Sequence, residues 1–117
     1  MVFQLGAQLL DACVLAVLNR NDEYGYALTR SIGDTTGISE STLYPVLRRL
    51  CSDSQLITYD VAFNGRNRRY YRITQKGKET LSFYLDEWQI FKEKLDYLLN
   101  ENVPEQKVIN KEEEEIK

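Results

Sequence analysis

Residues 39–78 read SESTLYPVLRRLCSDSQLITYDVAFNGRNRRYYRITQKGK, and this stretch holds the strongest local signals in the chain. Four aliphatic side chains recur at helical spacing in its first part and predict a helix with one buried face. They are Leu43, Val46, Leu47 and Leu50. The hydroxyl of Ser39 is predicted to cap this helix by accepting from a free backbone N–H. The other face is polar and cationic, with Ser41, Thr42, Tyr44, Arg48 and Arg49.

Pro45 lies inside this predicted helix. A proline there removes a backbone donor and costs about 3 kcal/mol unless it falls in the first turn. The helix therefore either begins nearer Ser41 or Thr42, or has a distorted first turn.

The second part of the stretch predicts a β-hairpin. Apolar side chains alternate with polar or small ones over residues 56–63, a period typical of a strand. The dipeptide Asn-Gly at 64–65 favours a two-residue turn, and the β-forming run RYYRI at 69–73 supplies the returning strand. Arg66 and Arg68 are therefore expected at or beside the hairpin tip.

Two further helices are predicted before this stretch. Residues 5–18 are almost all apolar or small, so the first helix should be buried on most of its circumference. Turn-forming residues at 19–22 interrupt the pattern, and a shorter second helix ends near 33–37. Two helices, a polar third helix and a hairpin indicate a winged helix-turn-helix domain over residues 1–74. The predicted fold class is mainly α with a small β-hairpin.

Residues 75–100 are predicted to form a long last helix with Thr74 as its cap. Its large apolar residues are spaced 3, 4, 3, 4 and 3 apart, the pattern of a heptad seam. They are Leu81, Tyr84, Trp88, Phe91, Leu95 and Leu98. At 1.5 Å per residue this helix extends roughly 37 Å, more than one small core needs, which predicts pairing with a second copy of the chain. Residues 101–117 are expected to form a charged tail without fixed structure.

The charge distribution is uneven along the chain. Eight Lys/Arg and three acids give residues 39–78 a charge of +5, whereas the remainder carries −8 and the whole chain −3. Because salt screens charges beyond about 8 Å, one basic face is enough to bind a polyanion.

The composition excludes several classes of protein. No apolar run approaches the roughly 20 residues of a membrane span and no signal peptide is evident, so we expect a cytoplasmic protein. The chain contains no histidine, which removes the commonest general base and most zinc sites. Cys13 and Cys51 have no metal-site spacing and are interpreted as reduced thiols, with a redox switch as the alternative. An enzyme, a metal site and a cofactor are therefore not expected.

Four segments in this order resemble the PadR family of bacterial transcriptional regulators. They are YGY at 24–26, STLYPVLRRL at 41–50, GRNRRYYRIT at 65–74 and KGK at 76–78. The resemblance covers residues 5–99. The single C-terminal helix is similar to the small PadR subgroup, which includes multidrug-sensing repressors.

The resemblance implies a homodimeric DNA-binding repressor that acts on an inverted-repeat operator. The third helix would enter the major groove, and the hairpin would contact the flanking backbone or minor groove. The candidate DNA-binding residues are Ser39, Ser41, Thr42, Tyr44, Arg48, Arg66, Arg68 and Arg69. Ordinary solubilising charge is the alternative interpretation of the hairpin arginines.

The resemblance also implies a role for the C-terminal helix, whose candidate dimer and ligand residues are Tyr84, Trp88, Phe91, Leu95 and Leu98. Trp88 falls where the multidrug-sensing repressors stack a tryptophan on flat aromatic ligands. The same residue occupies a heptad position, so dimer packing alone is the alternative.

One position departs from the family pattern. The family usually has glycine after the recognition helix, where this chain has Gln55. Gln55 would have to adopt a left-handed conformation at about 1–2 kcal/mol, or residues 52–54 would have to end the helix differently.

Two other functions stay open from the sequence. The chain could be a dimeric adaptor that binds another protein through its aromatic helix and acidic tail, or a ligand-binding protein without a role in regulation. Activation instead of repression is also compatible with the sequence, which gives neither the operator nor an effector.

Overall fold

The computed structural model describes residues 3–102 and confirms a mainly helical chain with a small antiparallel sheet. In chain order the elements are α1 (Ala7–Arg20), β1 (Glu23–Tyr24), α2 (Gly25–Thr36), α3 (Glu40–Ser52), β2 (Leu56–Phe63), β3 (Arg66–Ile73) and α4 (Gln75–Asn100). The chain divides into two compact units, residues 1–85 and 86–117. The predicted tail lies outside the described residues from position 103 onward, and Glu101 and Asn102 form a turn.

The hydrophobic core belongs to the first unit and is built mainly from leucines of the first three helices. Leu15, Leu28, Leu43 and Leu47 are fully buried, and Leu81 of α4 joins the same cluster. The first turns of α4 are therefore part of the winged-helix core.

Helix α1 is shielded along most of its length, as its composition predicts. Every residue from Leu9 to Leu18 is buried or half-buried, whereas Ala7 and Gln8 are exposed. One of the buried residues has a carboxyl side chain: Asp11 is only 5% exposed. An ionised carboxylate at such a depth requires a partner.

Helix α3 begins at Glu40, with Ser39 in the N-cap position. The position is as predicted, but the predicted hydrogen bond is wrong, because the Ser39 side chain caps no backbone N–H. The Ser39 carbonyl instead accepts from the amides of both Thr42 and Leu43, at 3.1 and 3.2 Å. This shared acceptor tightens the first turn, whereas Pro45 lies beyond that turn, inside the helix.

The turn after α3 shows how the chain ends this helix without the glycine that the family usually has where Gln55 stands. Ser54, not Gln55, adopts the left-handed conformation, with φ of 62°. The Ser54 amide donates to the Cys51 carbonyl at 3.0 Å, and the Gln55 amide donates to the Leu50 carbonyl at 2.9 Å. These two bonds form a Schellman motif that usually has glycine at the left-handed position.

The sheet has the strand order β1-β3-β2 and both pairings are antiparallel. The predicted hairpin is confirmed, since Asn64 and Gly65 both have positive φ, at 50° and 76°, as a type I′ turn requires. The sequence does not predict β1, whose two residues pair with Tyr70 and Tyr71. A strand of two residues is too short to show a period.

Helix α4 begins where the sequence predicts. The Gly77 amide donates to the Thr74 hydroxyl oxygen at 3.1 Å, so Thr74 is a true cap. Gly77 packs closely on the α3–β2 junction, because a Cβ at this position would lie 2.4 Å from the Gln55 carbonyl oxygen. Among residues 3–102, no helix combines the length and apolarity needed to cross a bilayer.

We predict that Ser54→Gly stabilises the protein. Glycine adopts positive φ without the Cβ penalty of about 1–2 kcal/mol, and its greater freedom in the unfolded chain offsets part of this gain. The free energy of unfolding in urea should therefore rise by about 0.5–1 kcal/mol at fixed protein concentration.

Ser52→Gly is the matched control, since Ser52 ends α3 in helical conformation. It should lower the free energy of unfolding by about 0.5–1 kcal/mol. A Ser54→Gly protein no more stable than the wild type would contradict the strain assigned to this turn.

Candidate nucleic-acid interface

Helix α3 has one face in the core and one in solvent. Its four aliphatic residues are buried, as predicted. Ser39, Ser41, Thr42 and Arg48 from the predicted site are all exposed. A short helix with this division presents polar side chains while its apolar side fixes it to the domain.

Three hydroxyl groups cluster at the N-terminus of α3. The Ser39 Oγ lies 2.9 Å from Ser41 Oγ and 3.1 Å from Thr42 Oγ1, within hydrogen-bonding distance of both. Each hydroxyl both donates and accepts, and the N-terminal end of a helix favours negative charge. The cluster is chemically suited to phosphate oxygens and base edges.

Tyr44 is more enclosed than the other predicted residues of α3. It is half-buried and packs against the hydrophobic core. A Cβ at Gly25 would lie 3.5 Å from Tyr44 Cε1 and 3.4 Å from Tyr71 Cε1, so the two rings line the space beside Gly25. Only the remaining exposed part of Tyr44 is available to a partner.

Arg49 neighbours Arg48 on α3, but its side chain forms an ion pair with Asp11 of α1. Its Nη1 donates to Asp11 Oδ2 at 3.1 Å, and its Nη2 donates to Asp11 Oδ1. The Asp11 carboxylate raises the pKa of the Arg49 guanidinium above its ordinary value. Arg48 has no hydrogen bond or ion pair among the described residues, so its charge is available to a ligand.

The hairpin arginines also differ in what they contact. Arg69 forms an exposed ion pair with Asp60 of β2 at 3.7 Å. Arg68 lies against two aromatic rings, with its Cζ 3.9 Å from the ring centroid of Phe63 and 4.5 Å from that of Tyr24. Arg66, beside the turn and paired with Phe63 in the strand register, has neither an ion pair nor a cation–π contact within residues 3–102.

A polar cluster centred on Asp22 attaches the hairpin to the loop after α1. The Tyr59 hydroxyl donates to Asp22 Oδ2 at 2.6 Å, and the Arg72 Nε donates to the same oxygen at 2.9 Å. The Tyr59 hydrogen bond and Arg72 lower the pKa of Asp22, and Asp22 in turn raises the pKa of Tyr59. The cluster joins the loop, β2 and β3 through one carboxylate.

Tyrosines form a row on the sheet face turned away from the helices. The Tyr70 ring centroid lies 5.9 Å from that of Tyr24 and 5.5 Å from that of Tyr59, one neighbour on each adjacent strand. Such cross-strand aromatic pairs stabilise a sheet. Neither Asp22 nor this row is predicted from the sequence, although the YGY at 24–26 and the YY at 70–71 are visible there.

The predicted residues of α4 fall in both compact units. Tyr84 belongs to the first unit and is half-buried. In the second unit, Trp88 and Leu95 are 38% and 37% exposed, and Phe91 and Leu98 are exposed further. The Trp88 and Phe91 ring centroids lie 6.4 Å apart with a tilt of 50°. The helix thus carries a continuous apolar face in solvent.

Residues 3–102 contain no group of three or more His, Cys, Asp or Glu side chains that could hold a metal ion. The two cysteines are free and partly buried, and burial raises the pKa of each thiol. Thiols with a raised pKa are poor nucleophiles at neutral pH.

Comparison with known proteins agrees with this architecture. The chain is 38% identical over 96 residues to an uncharacterized protein of Lysinibacillus sphaericus, covering 77% of this chain and 87% of that protein. The crystal structure of smu.1704 from Streptococcus mutans superposes with a TM-score of 0.78 at 34% identity, over 86% of this chain and 94% of the other. A PadR family transcription regulator of Clostridium difficile superposes with a TM-score of 0.71 at 27% identity, over 77% and 97% of the two chains.

The family assignment follows from a match that covers more than half of the chain. Residues 14–82 match the model of the PadR-like family of transcriptional regulators, and this range includes α2, α3 and the whole hairpin. The chain therefore belongs to the PadR-like family of transcriptional regulators.

Proposed function

We propose that this regulator is a homodimeric DNA-binding repressor that acts on an inverted-repeat operator and is released by a flat aromatic ligand. The observation that carries the proposal is the solvent-exposed face of α3, where a hydroxyl cluster precedes a free Arg48. A buried helix would not display this set of groups, and a catalytic site would require general acids or bases that they do not supply.

The hydroxyl cluster and Arg48 make different contributions to binding in this proposal. Thr42 and Ser41 contact base edges in the major groove from the N-terminal half of α3, and Tyr44 contributes through its exposed part. Arg48 and Ser39 contact phosphates at the edge of the groove. Base contacts select the sequence, whereas phosphate contacts fix the position of the helix.

The hairpin acts as the wing and contacts the flanking DNA. Arg66 has no ion pair or cation–π contact within the described part of the chain, so binding a phosphate would break no charged contact there. Within residues 3–102, the ion pair of Arg69 is the exposed one with Asp60, which a phosphate can replace at little cost. The net charge of +5 over residues 39–78 favours the approach of a polyanion to this unit.

Pairing of α4 between two copies explains its apolar face. Large contiguous apolar patches are rare on monomeric proteins and mark interaction sites. The spacing of Trp88, Phe91, Leu95 and Leu98 matches the seam of paired helices. A two-fold dimer would present two copies of α3 to two half-sites, which accounts for an inverted-repeat operator.

A planar ligand would act through Trp88. The indole and the neighbouring Phe91 ring provide aromatic faces for stacking. Binding between the paired helices would release DNA only if the ligand prefers a spacing of the two α3 helices that does not fit the operator. The effector thus works through its differential affinity for two forms of the dimer.

We predict that operator binding is specific and falls steeply with salt. Each phosphate contact contributes about 0.9 to the slope of log K against log salt concentration, and a two-fold dimer duplicates every contact. Arg48→Ala and Arg66→Ala should each lower affinity on all duplexes and flatten the slope by about 1.8. Fluorescence anisotropy with a labelled duplex from upstream of the gene measures both quantities.

Thr42→Val is the contrasting variant, because it keeps the side-chain shape and removes the hydroxyl. It should change the preference among operator variants by about tenfold or more while leaving the salt slope unchanged. Thr35→Val, the same change on an exposed position of α2, is the control. A wild-type protein that binds no duplex at low salt would refute the proposed function.

If α4 pairs with its copy, we predict that a charged residue substituted into the heptad seam abolishes dimerisation. Leu95→Glu places two carboxylates against each other across the paired helices, so sedimentation velocity should show a monomer where the wild type gives a dimer. Gln89→Glu adds the same charge outside the seam and should leave the dimer intact. A wild-type chain that sediments as a monomer at tens of micromolar contradicts the pairing.

Ligand binding is testable because Trp88 is the single tryptophan of the chain. A planar cationic dye should quench its emission in a saturable way and, at the same concentrations, weaken operator binding. If the ligand stacks between paired helices, Leu95→Glu should abolish saturable quenching. Absence of quenching across a panel of planar dyes would leave Trp88 with a packing role alone.

A further inference from the structure

The wing arginines share a sequence segment but not a set of contacts, and this difference assigns them separate roles. Arg66 forms no ion pair and no cation–π contact within residues 3–102, although Phe63 is its partner in the strand register. Arg68, two positions later, lies between Phe63 of β2 and Tyr24 of β1. A guanidinium at 3.9 and 4.5 Å from two ring centroids is within the range of a cation–π contact with each ring.

The rings that hold Arg68 come from two different strands. Phe63 is the last residue of β2 before the turn, while Tyr24 ends β1 and leads directly into α2. Arg68 therefore ties the distal part of the hairpin to the strand beside the helical domain. It does so on the sheet face turned away from the helices, next to Tyr70.

The distal hairpin depends on the Arg68 contact because β1, the strand on the other side of β3, has only two residues. β1 pairs only with Tyr70 and Tyr71, so β3 from Arg66 to Arg69 has β2 on one side and no other strand among the described residues. An isolated two-stranded hairpin is only marginally stable in water. Without the Arg68 contact, the tip would depend on the turn and on the pairing with β2 alone.

We propose that Arg68 is a positioning residue, which holds the wing tip against Tyr24 and Phe63 so that Arg66 reaches the DNA backbone. This inference rests on the proposed function as far as DNA is concerned. The tie itself is a property of the free protein. The DNA phosphate at the tip is then bound by Arg66, and Arg68 raises affinity by restricting where the tip lies.

The first test uses the protein without DNA. Amide hydrogen exchange of residues 61–68, measured by NMR, should be about two- to fivefold faster in Arg68→Ala and in Phe63→Leu than in the wild type. Arg66→Ala is the matched control and should exchange like the wild type. The double variant R68A/F63L should exchange no faster than R68A, because Arg68→Ala already removes the contact that Phe63→Leu affects. Equal exchange in R68A, F63L and wild type would overturn the proposal.

Two replacements at Arg68 distinguish the effect of its positive charge from the effect of its side-chain size. Arg68→Lys retains a cation that can lie over a ring and should recover part of the protection, whereas Arg68→Gln should not. Recovery by Gln equal to that by Lys would overturn the proposal, because the ring contact would then not depend on charge.

The second test uses operator DNA. Arg68→Ala and Phe63→Leu should both weaken binding while keeping the wild-type salt slope, in contrast to Arg66→Ala, which should flatten it by about 1.8. Phe63→Leu is decisive because it leaves every positive charge in place. If R68A flattens the slope as much as R66A, and F63L binds like the wild type, Arg68 contacts phosphate directly and the proposal fails.

The two tests distinguish failure of the proposal from failure of the proposed function. If the wild-type protein binds no duplex, the proposed function fails and the assignment of Arg66 to phosphate fails with it. The exchange measurements still decide whether Arg68 holds the tip. If the wild type binds DNA but the exchange rates do not respond to R68A or F63L, only the positioning role is lost.

Discussion

The buried carboxylate of Asp11 is the constraint on which the position of α3 depends. Asp11 is 5% exposed, so its charge requires a partner, and both of its oxygens accept from the Arg49 guanidinium. This pair fixes the rotation of α3 about its axis, because Arg49 must face α1. Arg48, the residue before it in the helix, is then turned to solvent with the hydroxyl cluster. The division of α3 into an inner and an outer face therefore rests on one ion pair as well as on four aliphatic side chains.

The basic residues in this chain are not interchangeable. The net charge of residues 39–78 overstates the number of cationic side chains that are available to a ligand. Of the arginines between positions 48 and 72, Arg49 and Arg72 bind carboxylates from outside the segment, and Arg68 lies between two rings. Arg48 and Arg66 lack such partners within the described residues. Phosphate binding is therefore assigned from the contacts of each guanidinium, since a count of charges gives the same weight to all of them.

Local signals account for the parts of the fold that the sequence predicted. Asn64 and Gly65 specify their turn, Thr74 caps α4, and helical spacing marks the buried face of α3 because neighbouring residues alone produce these patterns. The missed features are long-range. The partners in the Asp11–Arg49 pair are 38 residues apart, and Asp22 meets Tyr59 and Arg72 across 37 and 50 residues. The sequence leaves open whether Gln55 or residues 52–54 end α3, because either could do so from local sequence alone, and the structure has the left-handed conformation at Ser54.

These long-range contacts converge on α1. Asp11 within the helix binds α3 through Arg49, and Asp22, two residues after the helix ends, binds both strands of the hairpin through Tyr59 and Arg72. The two elements proposed to contact DNA are thus positioned relative to the same helix, each by an acidic side chain. A shift of α1 would move α3 and the base of the wing together, so their relative position is preserved. Arg68 connects the wing tip to the same region, because the Tyr24 ring that it contacts lies two residues after Asp22. The geometry of the candidate interface is therefore determined by residues outside it.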